Sequence, residues 1–118
     1  MDKKLIILDS GSNVYFYINK NITAMYQGFI TIYHAKTFSK FQNLIQNTDD
    51  IMIVVWGTFI NDSGFETMHL IKQLKKYYKG IIIGLSEDRA YQKKLVRFGC
   101  NFACTLQAMP HNIARSFR

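Results

Sequence analysis

The chain has 118 residues, of which 48% are hydrophobic and 19% charged, and this composition fits one domain with a buried core. With a single proline and seven glycines, the sequence has no low-complexity linker. No apolar run approaches the ~18 residues that a transmembrane helix needs. The net charge of +7 favours an acidic partner, although the dense Lys/Arg runs of a nucleic-acid arm are absent. We expect one cytoplasmic domain over residues 1–118, without membrane contact, because the N-terminal apolar run is too short for a signal peptide.

Short apolar runs alternate with amphipathic patterns along the chain. The apolar runs predict strands at Leu5–Leu8, Phe29–Tyr33, Ile51–Trp56, Ile81–Leu85 and Phe102–Leu106. Apolar residues at helical spacing predict helices over Asn13–Met25, Thr37–Ile45, Phe65–Tyr78 and Asp88–Phe98, with a short last helix within His111–Phe117. The candidate N-caps are Ser12, Thr37, Ser86 and Asp88, and the candidate helix ends are Gly28, Gly80 and Gly99.

This alternation predicts a three-layer α/β domain, because a parallel sheet of apolar strands needs helices on both faces. Five such units in a chain of this length match the flavodoxin-like winding, with strand order 2-1-3-4-5. Sites in these sheets form beyond the carboxyl ends of the strands. We therefore expect one edge of the sheet to collect Asp9, Ser10, Trp56, Ser86 and the segment Thr105–Gln107.

Several short segments, in the same order and spacing over nearly the whole chain, resemble the response-regulator receiver domain, the CheY-like family. They are the opening strand with Asp9, Gly28-Phe29, Gly64-Phe65-Glu66 after the third strand, Ile82–Ser86, and Gly99–Phe102. The resemblance implies a CheY-like fold and a regulatory role. In that family an aspartate ending the third strand accepts a phosphoryl group, and acids after the first strand help to bind Mg²⁺.

The residues at the positions that bind Mg²⁺ and accept the phosphoryl group differ from the family's pattern. Trp56 stands in place of the phosphoacceptor aspartate, and an indole cannot form an acyl phosphate. Asp9 keeps the first acidic position, but Ser10 replaces the second acid. Ser86 keeps the hydroxyl that would contact a phosphoryl oxygen. Because a lone carboxylate is a poor ligand set for Mg²⁺, we expect no bound metal or other cofactor.

The lysine that ends the family's fifth strand is also replaced. Leu106 falls near its position, and sliding the register to match Pro110 with the family's proline places Met109 there instead. Ala103 stands at the family's aromatic switch position. Without the acceptor, the second acid and the lysine, nothing offsets the charge of an incoming phosphoryl group.

We therefore interpret the chain as a degenerate, phosphorylation-independent pseudo-receiver without enzymatic activity. It would act as a regulatory or dimerisation module of a signalling or transcription-regulatory protein, alone or as the N-terminal part of a longer regulator. DNA would then be contacted only by a domain outside this chain. Two alternatives remain open: a stand-alone adaptor that binds a kinase or another receiver, and a small flavodoxin-like protein that binds FMN or a nucleotide at the loop Asp9–Asn13.

By analogy with receivers, a homodimer or a protein partner would use the fourth helix, the fifth strand and the last helix. The expected surface residues are Tyr91, Lys94, Leu95 and Arg97. Basic residues also form a stripe on each of two helices, at Lys72, Lys75, Lys76 and Lys79, and at Arg89, Lys93, Lys94 and Arg97. The simplest interpretation of both stripes is a solvated outer face, and the alternative is a docking surface for an acidic partner.

Cys100 and Cys104 would stand about 13 Å apart on a shared strand, which is too far for a disulfide, so we expect reduced thiols. The histidines His34, His69 and His111 are scattered over separate segments. They do not suggest a catalytic set.

Overall fold

The computed structural model describes residues 3–9, 11, 13–26, 30–46, 51–56, 65–76 and 78–116, with the backbone alone at residues 26, 51, 52, 55, 56 and 65–67. Within these residues, strands and helices alternate as β1 (Lys3–Leu8), α1 (Asn13–Tyr26), β2 (Ile30–Ala35), α2 (Phe38–Ile45), β3 (Ile51–Trp56), α3 (Phe65–Lys75), β4 (Ile81–Leu85), α4 (Arg89–Phe98), β5 (Phe102–Cys104) and α5 (Met109–Ser116). The strands form a parallel sheet in the order β2-β1-β3-β4-β5, which confirms the predicted fold class. None of the described helices is long and apolar enough to cross a membrane.

The sheet is buried on both faces along its central strands. In β1, the four residues Leu5–Leu8 are each no more than 2% exposed. Successive side chains of a strand point to opposite faces, so Ile6 and Leu8 pack with the residues of α2, α3 and α4. Leu5 and Ile7 pack instead with those of α1 and α5. Burial on both sides explains why the strands read as continuous apolar runs and not as an alternating pattern.

Local signals in the sequence set several helix boundaries. Thr37 Oγ1 accepts a backbone N–H of the first turn of α2 at 3.1 Å, and Asp88 Oδ1 does the same for α4 at 3.0 Å. Both residues are the N-caps that the sequence predicts. Gly99 ends α4 with φ 139°, in the left-handed region that favours glycine. Ser12 and Gly28 lie outside the described residues.

Several elements differ in length from their predictions, including β1, which begins two residues earlier, at Lys3. β2 runs over Ile30–Ala35 because it pairs with every residue of β1. α3 ends at Lys75 and not at Tyr78. β5 is only three residues long and ends at Cys104, so that Thr105 and Leu106 lie beyond the strand. α5 begins earlier than expected, at Met109, with Pro110 in its first turn, where a missing N–H costs nothing.

Helix α4 approaches the sheet closely at Gly84. A Cβ built on Gly84 would lie 2.8 Å from Leu95 Cδ1 and 3.2 Å from Cys100 Sγ. Leu95 is fully buried there. The prediction that Leu95 belongs to an interaction surface is therefore wrong, because its side chain fills the contact between α4 and β4.

Replacing Gly84 with alanine should destabilise the fold. The added methyl would overlap Leu95, and overpacking of this kind costs roughly 1–3 kcal/mol. Gly11→Ala is the matched control, because a Cβ there meets only Asp9 Oδ1, at 4.0 Å. Chemical denaturation should show a clear loss of unfolding free energy for Gly84→Ala and no loss for Gly11→Ala. Equal losses in both variants would refute the close contact as the cause.

Candidate functional site

The carboxyl ends of the strands meet at one edge of the sheet. Asp9 follows β1, Trp56 ends β3, and Ser86 follows β4. The parallel registers place the ends of these neighbouring strands side by side. The backbone thus brings together three of the predicted site positions. Ser10 lies outside the described residues, and only the backbone of Trp56 is described.

Asp9 is the buried charged residue of this edge. Its side chain is 4% exposed, and Oδ1 accepts the Gly11 N–H at 3.2 Å. Oδ2 is also buried and has no hydrogen-bond partner among the described residues. Desolvating a carboxylate oxygen without a partner is costly. The Asp9 carboxylate is therefore held by one hydrogen bond from the backbone, and Oδ2 could accept another.

The backbone of Asp9 is tied to strand β2. Its N–H donates to the Ala35 carbonyl oxygen at 3.0 Å. His34 Nε2 lies 3.0 Å from the Asp9 carbonyl oxygen, so the Nε2–H tautomer donates a hydrogen bond there. The His34 ring stacks on Tyr15, with centroids 4.7 Å apart and planes inclined by 8°. Sequence reasoning missed this contact, and the parallel pairing of β1 with β2 is the signal that points to it.

Ser86 uses its polar groups to start α4. Its Oγ accepts the Asp88 N–H at 3.1 Å, and its carbonyl oxygen accepts from Gln92 Nε2 at 2.7 Å. Its N–H donates to the Cys104 carbonyl oxygen at 3.1 Å. The hydroxyl therefore holds a turn of its own chain, which is a common local role for serine.

The structure places Leu106 in the turn after β5. Its side chain packs against the apolar cluster of α1 and α5. Continuing the β4–β5 register by one residue sets Thr105 beside Ser86. Thr105 Oγ1 accepts the Ala108 N–H at 3.3 Å. Neither Thr105 nor Leu106 carries a charge, so this part of the edge has no cation.

The described residues do not fit the Mg²⁺ that the receiver fold implies. Asp9 supplies one carboxylate, whereas a hard cation needs several oxygen ligands. Nowhere in the described part of the chain do three or more His, Cys, Asp or Glu side chains lie together as metal ligands. An anion is also disfavoured at the loop Asp9–Asn13, because the Gly11 N–H already binds a carboxylate.

The two cysteines flank β5: Cys100 precedes it, and Cys104 ends it beside Ser86. Both are free. Burial raises the pKa of the Cys100 thiol to about 12, partly offset by the charge of Lys75. Burial also raises the pKa of Cys104 above its usual value. Both thiols are therefore protonated at neutral pH and are poor nucleophiles.

Asp9→Asn should preserve or raise stability at neutral pH. The amide keeps the acceptor for the Gly11 N–H and removes a buried charge that has an unpartnered oxygen, for a gain of about 1 kcal/mol. Asp9→Ala, which removes the acceptor as well, serves as the comparison. Urea denaturation measures both variants. A destabilised Asp9→Asn would reveal a cation or donor that pairs with the charge.

Comparisons with known proteins agree on the fold. No protein-family model and no curated protein matches the sequence. Among solved structures, the receiver domain of Francisella response regulator 1452 has a TM-score of 0.76 at 15% identity, over 98% of this chain and 97% of that one. A Burkholderia pseudomallei response regulator with a phosphorylated aspartic acid, calcium ion and citrate has a TM-score of 0.73 at 18% identity, over 99% and 67%.

HP1043, an orphan response regulator of H. pylori, has a TM-score of 0.72 at 11% identity, over 98% of this chain and 97% of that one. Identities this low show the fold and not the chemistry of the site. The chain has the fold of a response-regulator receiver domain, as its sequence predicts.

Proposed function

We propose that this chain is a pseudo-receiver, a regulatory module of a signalling protein that works without phosphorylation. One observation carries the proposal: β3, which would end in the phosphoacceptor aspartate of a working receiver, ends in Trp56. A carboxylate can form an acyl phosphate, and an indole cannot. The receiver fold supports the signalling role, since the solved structures that share it are response regulators.

The surroundings of Trp56 support the same conclusion. Phosphoryl transfer relies on positioning and on charges that stabilise the transition state. At this edge Asp9 is the buried carboxylate, Glu87 is exposed and accepts the Leu106 N–H at 3.4 Å, and Thr105 and Leu106 are uncharged. The Ser86 hydroxyl is engaged with the Asp88 N–H. Position 56 therefore offers no nucleophile, and the described residues of the edge offer neither a set of metal ligands nor the cation that the reaction needs.

We also infer that the chain is not an enzyme. His34 binds the backbone of Asp9 through Nε2. His69 is exposed and lies 3.0 Å from Gln73 Nε2 on the same helix. No hydrogen bond joins a described serine or cysteine to any of these histidines. A nucleophile and base in contact are what nucleophilic catalysis requires.

A domain without a chemical switch must act through a surface that it always presents. We propose the face formed by α4, β5 and α5, where β5 is the edge strand of the sheet. A groove of about 330 Å³ between α4 and β5 is lined by Gln92, Lys93, Val96 and Ala103. Val96 is 44% exposed and offers an apolar contact at this groove. None of the predicted surface residues Tyr91, Lys94 and Arg97 lines this groove; Lys94 and Arg97 are exposed elsewhere on α4, and Tyr91 is half-buried.

We propose that two copies of the chain pair through this face. A dimer of standard size would bury about 800 Å² per partner. A symmetric pair would place each Val96 near the partner's matching face, because a twofold interface uses the same patch twice. An adaptor that binds a different protein at the same face would leave the isolated chain monomeric.

The chain should not become phosphorylated. Incubation with acetyl phosphate and Mg²⁺ should leave the mass of the intact protein unchanged, while a working receiver treated in parallel gains a phosphoryl group. The reason is the absence of a carboxylate at position 56. An aspartyl phosphate on this chain would disprove the proposed function.

Restoring the carboxylate alone should not restore the reaction. Trp56→Asp would place a second acid near Asp9 without a lysine and without a third acid at Ser10. Two close acids without a cation repel each other and raise each other's pKa. Mass spectrometry after acetyl phosphate treatment should again show no adduct. A phosphorylated Trp56→Asp variant would mean that the missing carboxylate at position 56 is the only change that prevents the reaction.

The proposed dimer should depend on Val96. Val96→Asp places a charge in the interface and should shift sedimentation toward the monomer, raising the dissociation constant by tenfold or more. Met25→Asp on α1 is the matched control, since Met25 is 47% exposed and Val96 44%. A wild-type monomer at high concentration would exclude the homodimer. A Val96→Asp dimer as tight as wild type would place the interface elsewhere.

A further inference from the structure

Basic side chains lie along the C-terminal parts of α3 and α4, two helices that pack against each other. Lys72, Lys75, Lys76 and Lys79 lie along the end of α3 and just beyond it. On α4, Lys94 and Arg97 accompany Phe98 in the last two turns. We refer to these six residues as the basic groove.

Two contacts join the α3 side of the basic groove to α4. Lys72 Nζ lies 5.8 Å from the centroid of the Phe98 ring. Lys75 packs beside the end of the same helix, where a Cβ on Gly99 would lie 2.7 Å from Lys75 Cγ. The two rows of cations therefore form one surface.

The positive charge of the basic groove is largely uncompensated. Lys72, Lys76, Lys79, Lys94 and Arg97 are exposed, and Lys75 is half-buried. No ion pair involves any of them within the described residues. α4 contains no Asp or Glu, and the one acid of α3, Glu66, is at its opposite end. The two helix C-termini add about one negative charge in total, against six positive charges.

The basic groove is distant from the degenerate site. In a parallel sheet each helix runs back against the direction of the strands, so α3 and α4 end near the opposite edge of the sheet from Asp9. The groove also lies on the α3 flank of α4. The proposed dimer face lies on the other flank, toward β5. A ligand of the basic groove would therefore interfere with neither feature.

We propose that the basic groove binds the phosphate backbone of a nucleic acid duplex. Five of its six cations are lysines, which protein–protein interfaces disfavour, whereas interfaces with nucleic acids are strongly positive. A membrane-binding surface would add apolar side chains that insert into the lipid. A single-stranded ligand stacks its bases on exposed rings, and among the described residues beside these cations the Phe98 ring is covered by Lys72.

The dimensions of the groove fit this partner. Packed helices lie about 8–10 Å apart, and charges on one DNA strand recur about every 3.4 Å along its axis. Cations on both helices can therefore contact several phosphates at once. Contacts to phosphates alone carry no sequence information, so the binding is non-specific. This inference replaces the expectation that only a domain outside this chain would contact DNA.

Salt dependence gives a quantitative test. Fluorescence anisotropy should detect binding of the chain to a labelled DNA duplex of arbitrary sequence at about 50 mM salt. If all six cations contact phosphates, log K should fall with log salt with a slope of about −5. Lys76→Gln/Lys79→Gln/Arg97→Gln should weaken binding at least tenfold and reduce the slope to about −3.

The control variant is Lys20→Gln/Lys36→Gln/Lys40→Gln, which removes the same charge from exposed residues on α1, α2 and the segment before α2. It should bind the duplex nearly as well as wild type. Melting temperatures of both triple variants verify that they are folded. The proposal is overturned if wild type does not bind, if both variants weaken equally, or if polyglutamate or anionic vesicles displace the duplex at equal charge concentration.

Discussion

Burial of both faces of the central strands is the constraint on which the rest of this structure depends. Strands as apolar as Leu5–Leu8 cannot leave either face in water, so helices must cover both sides. A chain meets this need by alternating strands with helices, and the strands then run parallel. Their carboxyl ends consequently meet at one edge. The close approach of α4 at Gly84 completes the cover on one side.

This arrangement separates stability from chemistry. The apolar clusters lie in the body of the sheet, whereas Asp9, Trp56 and Ser86 stand at the ends of strands. Residues there can change without removing the packing that holds the fold. In this chain Asp9 and Ser86 bind neighbouring backbone groups, which are structural roles. A receiver fold can thus be kept by its buried strands whichever residues stand at the strand ends.

Much of the fold could be predicted because its signals are local. Apolar runs mark the strands, and the caps Thr37 and Asp88 act within a single turn. Helical spacing places Leu95 on one stripe of α4 but does not show how deeply that stripe is buried, so it wrongly predicts a surface position for Leu95. The isolated glycine at position 84, inside an apolar strand, is the sequence signal for a close approach.

The candidate site was predicted in position but not in detail. Strand ends can be located from a sequence, and Asp9 and Ser86 lie where the apolar runs predict them. The stacking of His34 on Tyr15 depends on β2 pairing with β1, a contact between distant segments. The unpartnered oxygen of Asp9 likewise follows from tertiary burial. Helical spacing also shows each basic stripe but does not show that the two face one groove.

Mg²⁺ binding is the sharpest test of whether the carboxyl edge of the sheet can support receiver chemistry. Metal binding precedes phosphoryl transfer and depends on the same edge. Amide NMR spectra recorded during a Mg²⁺ titration into the millimolar range should show no saturable shifts at Asp9, Gly11 or Ser86. Saturable shifts confined to these residues would show a metal site at the edge and contradict the account.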